Sequence, residues 1–171
     1  MVKSGATVSG ITVDDNTLNV LGGKVYLNSA GTGATINVGQ GGSMGKHNTE
    51  GIIKGKVALR AGYMESCTVE SGGTATLFYD FADLASTVQS SSLASYTSVV
   101  AGGLFNVSSS CVASTVLING GGVHIYSAGS ITDVTFSGGG VLNLHGGFAV
   151  GVSGNGGVVV SSGAQASDIS L

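Results

Sequence analysis

The sequence predicts an all-β chain folded as a parallel β-solenoid of about eight to nine rungs, with almost no helix. The first observation is a repeat with a period of about 19 residues between positions 102 and 157. There, a glycine pair, two alternating apolar residues, a small polar patch and a second β-branched strand recur. The second is that no segment combines a 3.6-residue apolar pattern with helix caps. The fixed period favours a solenoid over an all-β sandwich, which is the main rival fold.

The composition indicates an ordered chain and argues against one class of partner. Glycine is abundant, with 31 residues, but Val, Ile and Leu recur at fixed offsets, so the chain can bury a core. Six Lys and Arg and a net charge of −3 argue against nucleic acid as a partner. Four of these basic residues lie close together in the sequence, where we expect a solvated loop rather than an anion site: Lys46, Lys54, Lys56 and Arg60.

The elements follow one another as rungs of a single domain, residues 1–171. Residues 2–20 and 22–40 form the first two rungs, and regular rungs resume at Leu93. Irregular insertions are expected near 41–56 and 78–92, the second exceeding a normal rung by about a dozen residues. Residues 160–171 echo residues 2–13 in phase, which indicates a fragment of a longer array. No membrane-spanning segment and no signal peptide are predicted.

Each glycine pair predicts a corner followed by a strand. The second and fourth residues after the pair are apolar, and period-two alternation places both on the core side: Val25/Leu27, Ala75/Leu77, Phe105/Val107, Val123/Ile125 and Leu142/Leu144. The glycines themselves suit positions where a positive φ or a close backbone approach excludes a Cβ. The only place for a turn of helix is the segment 81–86.

The cysteines and histidines give no sign of a cofactor or metal site. Cys67 and Cys111 lie at different phases of the repeat, so free or buried thiols are expected rather than a disulfide. His47, His124 and His145 have no neighbouring ligands at metal-site spacing and are expected on the surface. No catalytic residues, metal ligands or cofactors are therefore assigned. Asp80 and Asp83 are the best paired carboxylates, and they keep a carbohydrate-active enzyme open as an alternative.

Two candidate contact surfaces remain. The third residue after each glycine pair points outward, and we expect Asn106, His124 and Asn143 to stack as a polar row, continuing a series that includes Tyr26 and Thr76. This row is either a solvated face or a surface for glycans or self-contact. The second candidate is the aromatic group Phe78, Tyr79 and Phe81, which either packs on the solenoid or forms an exposed contact site.

The repeat resembles that of AIDA-type autotransporter adhesins. The resemblance lies in GG-x-φ-x-φ (φ, an apolar residue) followed by a Gly- and Ser-rich turn and [AS]-x-T-[VI], seen in GGKVYLNSAGTGATINV, SCTVESGGTATL, ASTVLINGGG and ITDVTFSGGG. It implies a right-handed parallel β-helix passenger segment displayed on a bacterial cell surface. It also implies self-association, biofilm formation or adherence to host cells, and some similar proteins carry heptose on Ser or Thr. The insertions, the two cysteines and the missing signal and translocator segments depart from the family pattern.

The expected function is therefore a non-catalytic, extracellular adhesin or self-association scaffold. Its expected partners are a second copy of itself, or glycans and proteins of host and bacterial surfaces. A structural spacer or fibre segment is the first alternative, and a carbohydrate-active β-helix enzyme is the second.

Overall fold

A computed structural model of the chain describes residues 1–46, 51–78 and 91–171. These residues form twenty β-strands and no helix. The strands are β1 Val2–Lys3, β2 Thr7–Val13, β3 Thr17–Leu21, β4 Lys24–Ala30, β5 Thr35–Val38, β6 Ser43–Lys46, β7 Ile52–Ile53, β8 Lys56–Arg60, β9 Tyr63–Glu65, β10 Thr68–Val69, β11 Thr74–Phe78, β12 Leu93–Val100, β13 Leu104–Val107, β14 Val112–Asn119, β15 Gly122–Tyr126, β16 Ser130–Phe136, β17 Val141–His145, β18 Phe148–Gly154, β19 Gly157–Val160 and β20 Gln165–Ser170. Segment 81–86, the one place predicted for a helical turn, lies outside the described residues.

The strands stack into a β-solenoid of about 8 turns with a period near 18 residues, so the predicted fold class is confirmed. Each turn contributes a short strand to a nine-stranded sheet, in the order β1-β3-β5-β8-β11-β13-β15-β17-β19. The rest of the turn contributes to an eleven-stranded sheet on the other side. Neighbouring strands of both sheets pair in parallel, as a chain that winds in one direction requires.

The pairing of residues on neighbouring turns shows where the chain departs from the period. Leu104 pairs with Gly122 after a turn of regular length, whereas the turn that leads from Thr74 to its partner Leu104 is much longer. Between Phe78 and Ser91 the chain lies outside the described residues, so the insertion near 78–92 stays a prediction. The stretch 41–56 contains strands β6 and β7 and the first residue of β8; Leu27 pairs with Lys46 and Ser29 with Ile52, so its register changes between Lys46 and Ile52.

Ser92 holds the chain where it re-enters the stack after the long turn. Its side chain is fully buried, and its hydroxyl lies 2.8 Å from the carbonyl oxygens of Leu59 and Phe78. A buried hydroxyl must find an acceptor inside the protein, because burying it unpaired costs free energy. The contacts therefore tie the end of the insertion to the two neighbouring strands β8 and β11.

The core consists of apolar columns that run along the solenoid axis. All ten residues predicted at the second and fourth positions after a glycine pair are buried, with at most 1% of their surface exposed. They stack because parallel neighbours place equivalent residues next to each other, as in the column Phe105, Val123 and Leu142. This part of the sequence interpretation is confirmed residue by residue.

The glycine pairs form corners, as predicted, but they belong to two different corners. Gly22 and Gly41 precede strands of the eleven-stranded sheet, whereas Gly72 and the later pair at Gly102 precede strands of the nine-stranded sheet. Gly102 has a φ of +78°, and a Cβ on the next residue, Gly103, would collide with the carbonyl oxygen of Val69. The interpretation of all pairs as one phase of the repeat was therefore wrong.

A second special position bends the strands of the eleven-stranded sheet. At the same place in successive turns one residue adopts a left-handed conformation, with φ between 51° and 70°: Tyr96, Thr115, Asp133, Gly151 and Asp168. The alternation of inward and outward side chains restarts after each of these residues. Each long strand therefore holds two runs of alternating side chains, one before and one after its left-handed residue.

The two cysteines are free and buried, as predicted. Burial raises the pKa of the Cys67 thiol to about 12 and also raises the pKa of Cys111. Both thiols stay protonated at neutral pH, so they behave as small apolar core groups.

Candidate binding surface

The outer face of the nine-stranded sheet carries the predicted polar row. Asn106 pairs with His124, and His124 pairs with Asn143, so the three side chains stack on successive turns. All three are partly buried among their neighbours. The predicted geometry of the row is confirmed; its role in binding stays a prediction.

The row extends further towards the N-terminus than the sequence interpretation placed it. Thr76 precedes Asn106, and the next positions are Ala58, Asn37 and Asn19. The Asn37 Nδ2 donates to the Asn19 Oδ1 at 2.9 Å, and the Asn106 Nδ2 donates to the Thr76 Oγ1 at 3.3 Å. Side chains that bond along the row are held in fixed directions, which makes the row a regular surface rather than a mobile one.

Asn19 and Asn37 could have been found from the sequence by a different signal. An asparagine between two apolar residues recurs in Leu-Asn-Val, Ile-Asn-Val, Phe-Asn-Val and Leu-Asn-Leu, at residues 18–20, 36–38, 105–107 and 142–144. In the structure each of these triplets lies within a strand of the nine-stranded sheet. The triplet is therefore a better marker of this face than the glycine pair.

Tyr26 does not belong to the row. It lies on β4, a strand of the eleven-stranded sheet, and is exposed on a different side of the solenoid. The prediction failed because the glycine pair at 22–23 forms the other corner of the turn. The third residue after this pair points outward, as expected, but from the wrong sheet.

An aromatic group adjoins the C-terminal end of the row. The rings of His124 and His145 lie 5.4 Å apart, as do those of Tyr126 and His145, and both pairs are nearly parallel. The His124 Nδ1 and His145 Nε2 atoms are 3.2 Å apart, so one ring donates a hydrogen bond to the other. Burial, followed by the nearby His145, lowers the pKa of His124, so its ring is neutral at pH 7.

Phe78 also faces outward on the nine-stranded sheet, on its central strand β11. It is partly buried, and the Arg60 guanidinium carbon lies 4.5 Å from the centre of its ring. Tyr79 and Phe81, the other two members of the predicted aromatic group, lie outside the described residues. So do Asp80 and Asp83, the paired carboxylates.

The basic residues do not form the solvated loop that the sequence favoured. Lys56 and Arg60 both lie on strand β8 and are exposed on the outer face of the nine-stranded sheet. Lys54 forms an ion pair with Glu70, at 3.4 Å. Lys46 ends strand β6, in the eleven-stranded sheet.

The chemistry available on this face is hydrogen bonding and ring stacking. Within residues 1–46, 51–78 and 91–171, no group of three or more His, Cys, Asp and Glu side chains is placed to hold a metal ion. No helix in this part of the chain is long and apolar enough to span a membrane. Amide, hydroxyl and imidazole groups in a row, bordered by aromatic rings, suit recognition of another hydrogen-bonding surface.

Comparison with known proteins identifies the fold of this chain. No family model and no curated protein matches the sequence. A solved structure does: the crystal structure of a TibA fragment (residues 55–350 in its own numbering) that had been hyper-glycosylated by TibC catalysis. The two chains are 22% identical, with a TM-score of 0.58 over 99% of this chain and 72% of the fragment. The parallel β-solenoid of this chain is thus a fold that it shares with the TibA fragment.

Proposed function

We propose that this chain is a non-catalytic adhesive scaffold, a passenger segment of an autotransporter that presents its outer faces at a bacterial cell surface. The observation that carries the proposal is the row of outward polar side chains on the nine-stranded sheet, in register from turn to turn. Such a face suits homotypic association, or binding to glycans and proteins of host and bacterial surfaces.

The spacing of the row favours a repetitive partner. Equivalent side chains on neighbouring strands are about 4.8 Å apart, so one hydrogen-bonding group recurs at every turn. A second copy of the same face offers groups at the same spacing, and many weak contacts made together give a far lower dissociation rate than one contact alone. A second copy of this face is therefore the partner that the geometry fits best.

The fold comparison supports the same class of function. The TibA fragment is a segment of an autotransporter adhesin with the same kind of solenoid. An adhesive role needs a long, rigid and repetitive surface rather than a cleft, and the stacked sheets of this chain provide one. The surface location and the self-association are carried over here as parts of the proposal.

The proposal is tested by removing the polar row without touching the core. The triple variant Asn106→Ala, His124→Ala and Asn143→Ala should reduce self-association at least about tenfold in a concentration series measured by light scattering. The matched control is Ser114→Ala, Thr132→Ala and Val150→Ala, which changes outward residues of the eleven-stranded sheet on three successive turns. The control should associate like the natural chain.

The alternatives predict different results. If neither the natural chain nor the triple variant associates with itself or adheres to cells, the chain is a structural spacer or fibre segment. If the natural chain depolymerises a polysaccharide, and Asp80→Asn with Asp83→Asn abolishes that activity, it is a carbohydrate-active enzyme. Adhesion that survives loss of the row would exclude this row as the contact surface.

A further inference from the structure

The outer face of the nine-stranded sheet has a charge opposite to that of the whole chain. The chain has nine Asp and Glu against six Lys and Arg, yet none of the described strands of this sheet contains a carboxylate. The described acidic residues lie on the eleven-stranded sheet or at corners, and the cations of the face are Lys3, Lys56 and Arg60. In an acidic protein this arrangement leaves one face that attracts anions.

A depression lies in this face where the polar row is interrupted. Ala58 occupies the position that Asn37 and Thr76 occupy on the neighbouring strands, and its small methyl group lines a depression beside Thr76. This open cavity has a volume of about 210 Å³ and is lined by Lys56, Val57, Ala58, Thr74, Thr76 and Phe78. This volume suits one sugar ring of a longer chain.

One cation, Lys56, lines the depression, and a second, Arg60, lies on the same strand against the lining residue Phe78. Lys56 and Arg60 lie two residues before and after Ala58, so their Cα atoms are about 13 Å apart along β8. Both are exposed, and neither forms an ion pair with a described carboxylate, in contrast to Lys54. The ring of Phe78 lies against the Arg60 guanidinium, which limits the directions that this side chain can take.

We propose that the depression at Ala58 binds a carboxylate-bearing glycan, with Lys56 and Arg60 as the ligands of its acidic groups. This inference rests on the proposed adhesive function and names the class of partner for one part of the surface. Arg60 pairs with a carboxylate through its two parallel N–H groups, and Lys56 supplies a second charge. Phe78 offers a ring face to the sugar, while Thr74 and Thr76 offer hydroxyls.

The same observations favour a glycan over a nucleic acid. Nucleic-acid surfaces need a dense row of Lys and Arg, because each phosphate carries a charge. Here only Lys56 lines the depression, Arg60 lies beside it against Phe78, and the other polar groups of the lining are the hydroxyls of Thr74 and Thr76. Two charges separated by neutral hydrogen-bonding groups match a polysaccharide in which acidic sugars are spaced along the chain.

The test measures binding of short oligogalacturonates to the full chain by titration calorimetry. Their methyl esters serve as the matched uncharged probe, and a single-stranded oligonucleotide and a dextran sulfate oligosaccharide, neither of which carries a carboxylate, serve as other polyanions. The free acid should bind, and the ester should bind at least about tenfold more weakly. Lys56→Gln combined with Arg60→Gln, and separately Ala58→Asn, should each weaken binding by about tenfold or more.

Lys24→Gln is the control variant, because it removes an exposed lysine of the eleven-stranded sheet. It should change the affinity by less than about twofold. Ala58→Asn places the residue type of positions 19 and 37 at the same position of the row, so its circular dichroism spectrum should be unchanged. It therefore separates loss of the depression from loss of the fold.

Several outcomes would overturn the inference. Equal binding of the acid and its ester, or natural affinity in the Lys56 and Arg60 double variant, would show that these cations do not hold a carboxylate. Equally tight binding of the oligonucleotide or the dextran sulfate probe would mean attraction of polyanions in general. If self-association by light scattering persisted in these cases, the adhesive function would stand and only the glycan site would fall.

Discussion

At the scale of single residues, the stack makes the environment of a side chain depend on its column. Thr97 illustrates this, because it occupies an inward column that continues as Val116, Val134 and Val152. Its hydroxyl is buried and has no hydrogen-bond partner among the described residues. A threonine fits the shape of a valine column but leaves a polar atom unpaired.

Thr97→Val should therefore stabilise the protein. The substitution keeps the side-chain shape and removes the unpaired buried hydroxyl, so the free energy of unfolding should rise by about 1–3 kcal/mol. Urea denaturation followed by circular dichroism measures it. Thr135→Val, at an exposed position of strand β16 in the same sheet, is the control and should change stability by less than about 0.5 kcal/mol. A destabilised Thr97→Val variant would mean that the hydroxyl has an unrecognised partner.

The candidate surface could be predicted from the sequence only where one residue type marks one face. Asn106, His124 and Asn143 were placed correctly, because their glycine pairs all precede the nine-stranded sheet. Tyr26 was misplaced, because the same dipeptide serves the opposite corner at residues 22–23. The contact of Arg60 with Phe78 was not predictable, since it depends on the register between β8 and β11, which belong to different turns.

At the scale of elements, a bend at one left-handed residue interrupts the alternation of inward and outward side chains in the long strands. The bend needs a left-handed residue, and Gly, Asn and Asp adopt that conformation with little strain. Gly151, Asp133 and Asp168 fit this preference, whereas Thr115 does not, with a φ of 52°. A β-branched side chain in the left-handed region is strained, so the strand β14 carries a local cost that its neighbours do not.

Thr115→Asn should relieve this strain. Asparagine tolerates the left-handed conformation, so the free energy of unfolding should rise by about 1 kcal/mol, measured as an increase in the urea midpoint. The adjacent Ser114→Asn variant serves as the control, since Ser114 has no positive φ and the same substitution there brings no relief. A fall in stability on Thr115→Asn would show that the threonine makes contacts worth more than the strain.

The bend and the two kinds of glycine corner also explain why the short strands could be predicted from the sequence and the shape of the long strands could not. Alternation of apolar residues predicted the short strands well, because one face of each is buried throughout. The long strands interrupt this alternation at residues such as Tyr96, and nothing in a tyrosine indicates a left-handed conformation. The position at which each long strand divides into two runs of alternation is visible only from the pairing of residues on neighbouring turns.

At the scale of the whole molecule, the stack tolerates irregular turns because its stability comes from neighbouring turns. Thr74 pairs with Leu104 in register, although the chain between them is far longer than a regular turn. A longer connection costs only a slowly growing loop entropy, while the strands on either side keep their full pairing. Repeat proteins of this kind gain stability from contacts between adjacent repeats. A turn with neighbours on both sides should therefore contribute more to the free energy of unfolding than a turn with a single neighbour.

Two valines in one core column test this dependence on neighbouring turns. Val123 is fully buried between Phe105 and Leu142, whereas Val158, at the same position of the last described turn, pairs only with Leu142 and is half-buried. Val123→Ala should lower the free energy of unfolding by about 2–3 kcal/mol, because it leaves a cavity between two turns. Val158→Ala, the matched control, should cost less than about 1 kcal/mol, since the removed methyl groups are already partly in water. Urea denaturation of both variants gives the comparison. Equal losses would contradict a stack in which each turn draws its stability from the turns on both sides.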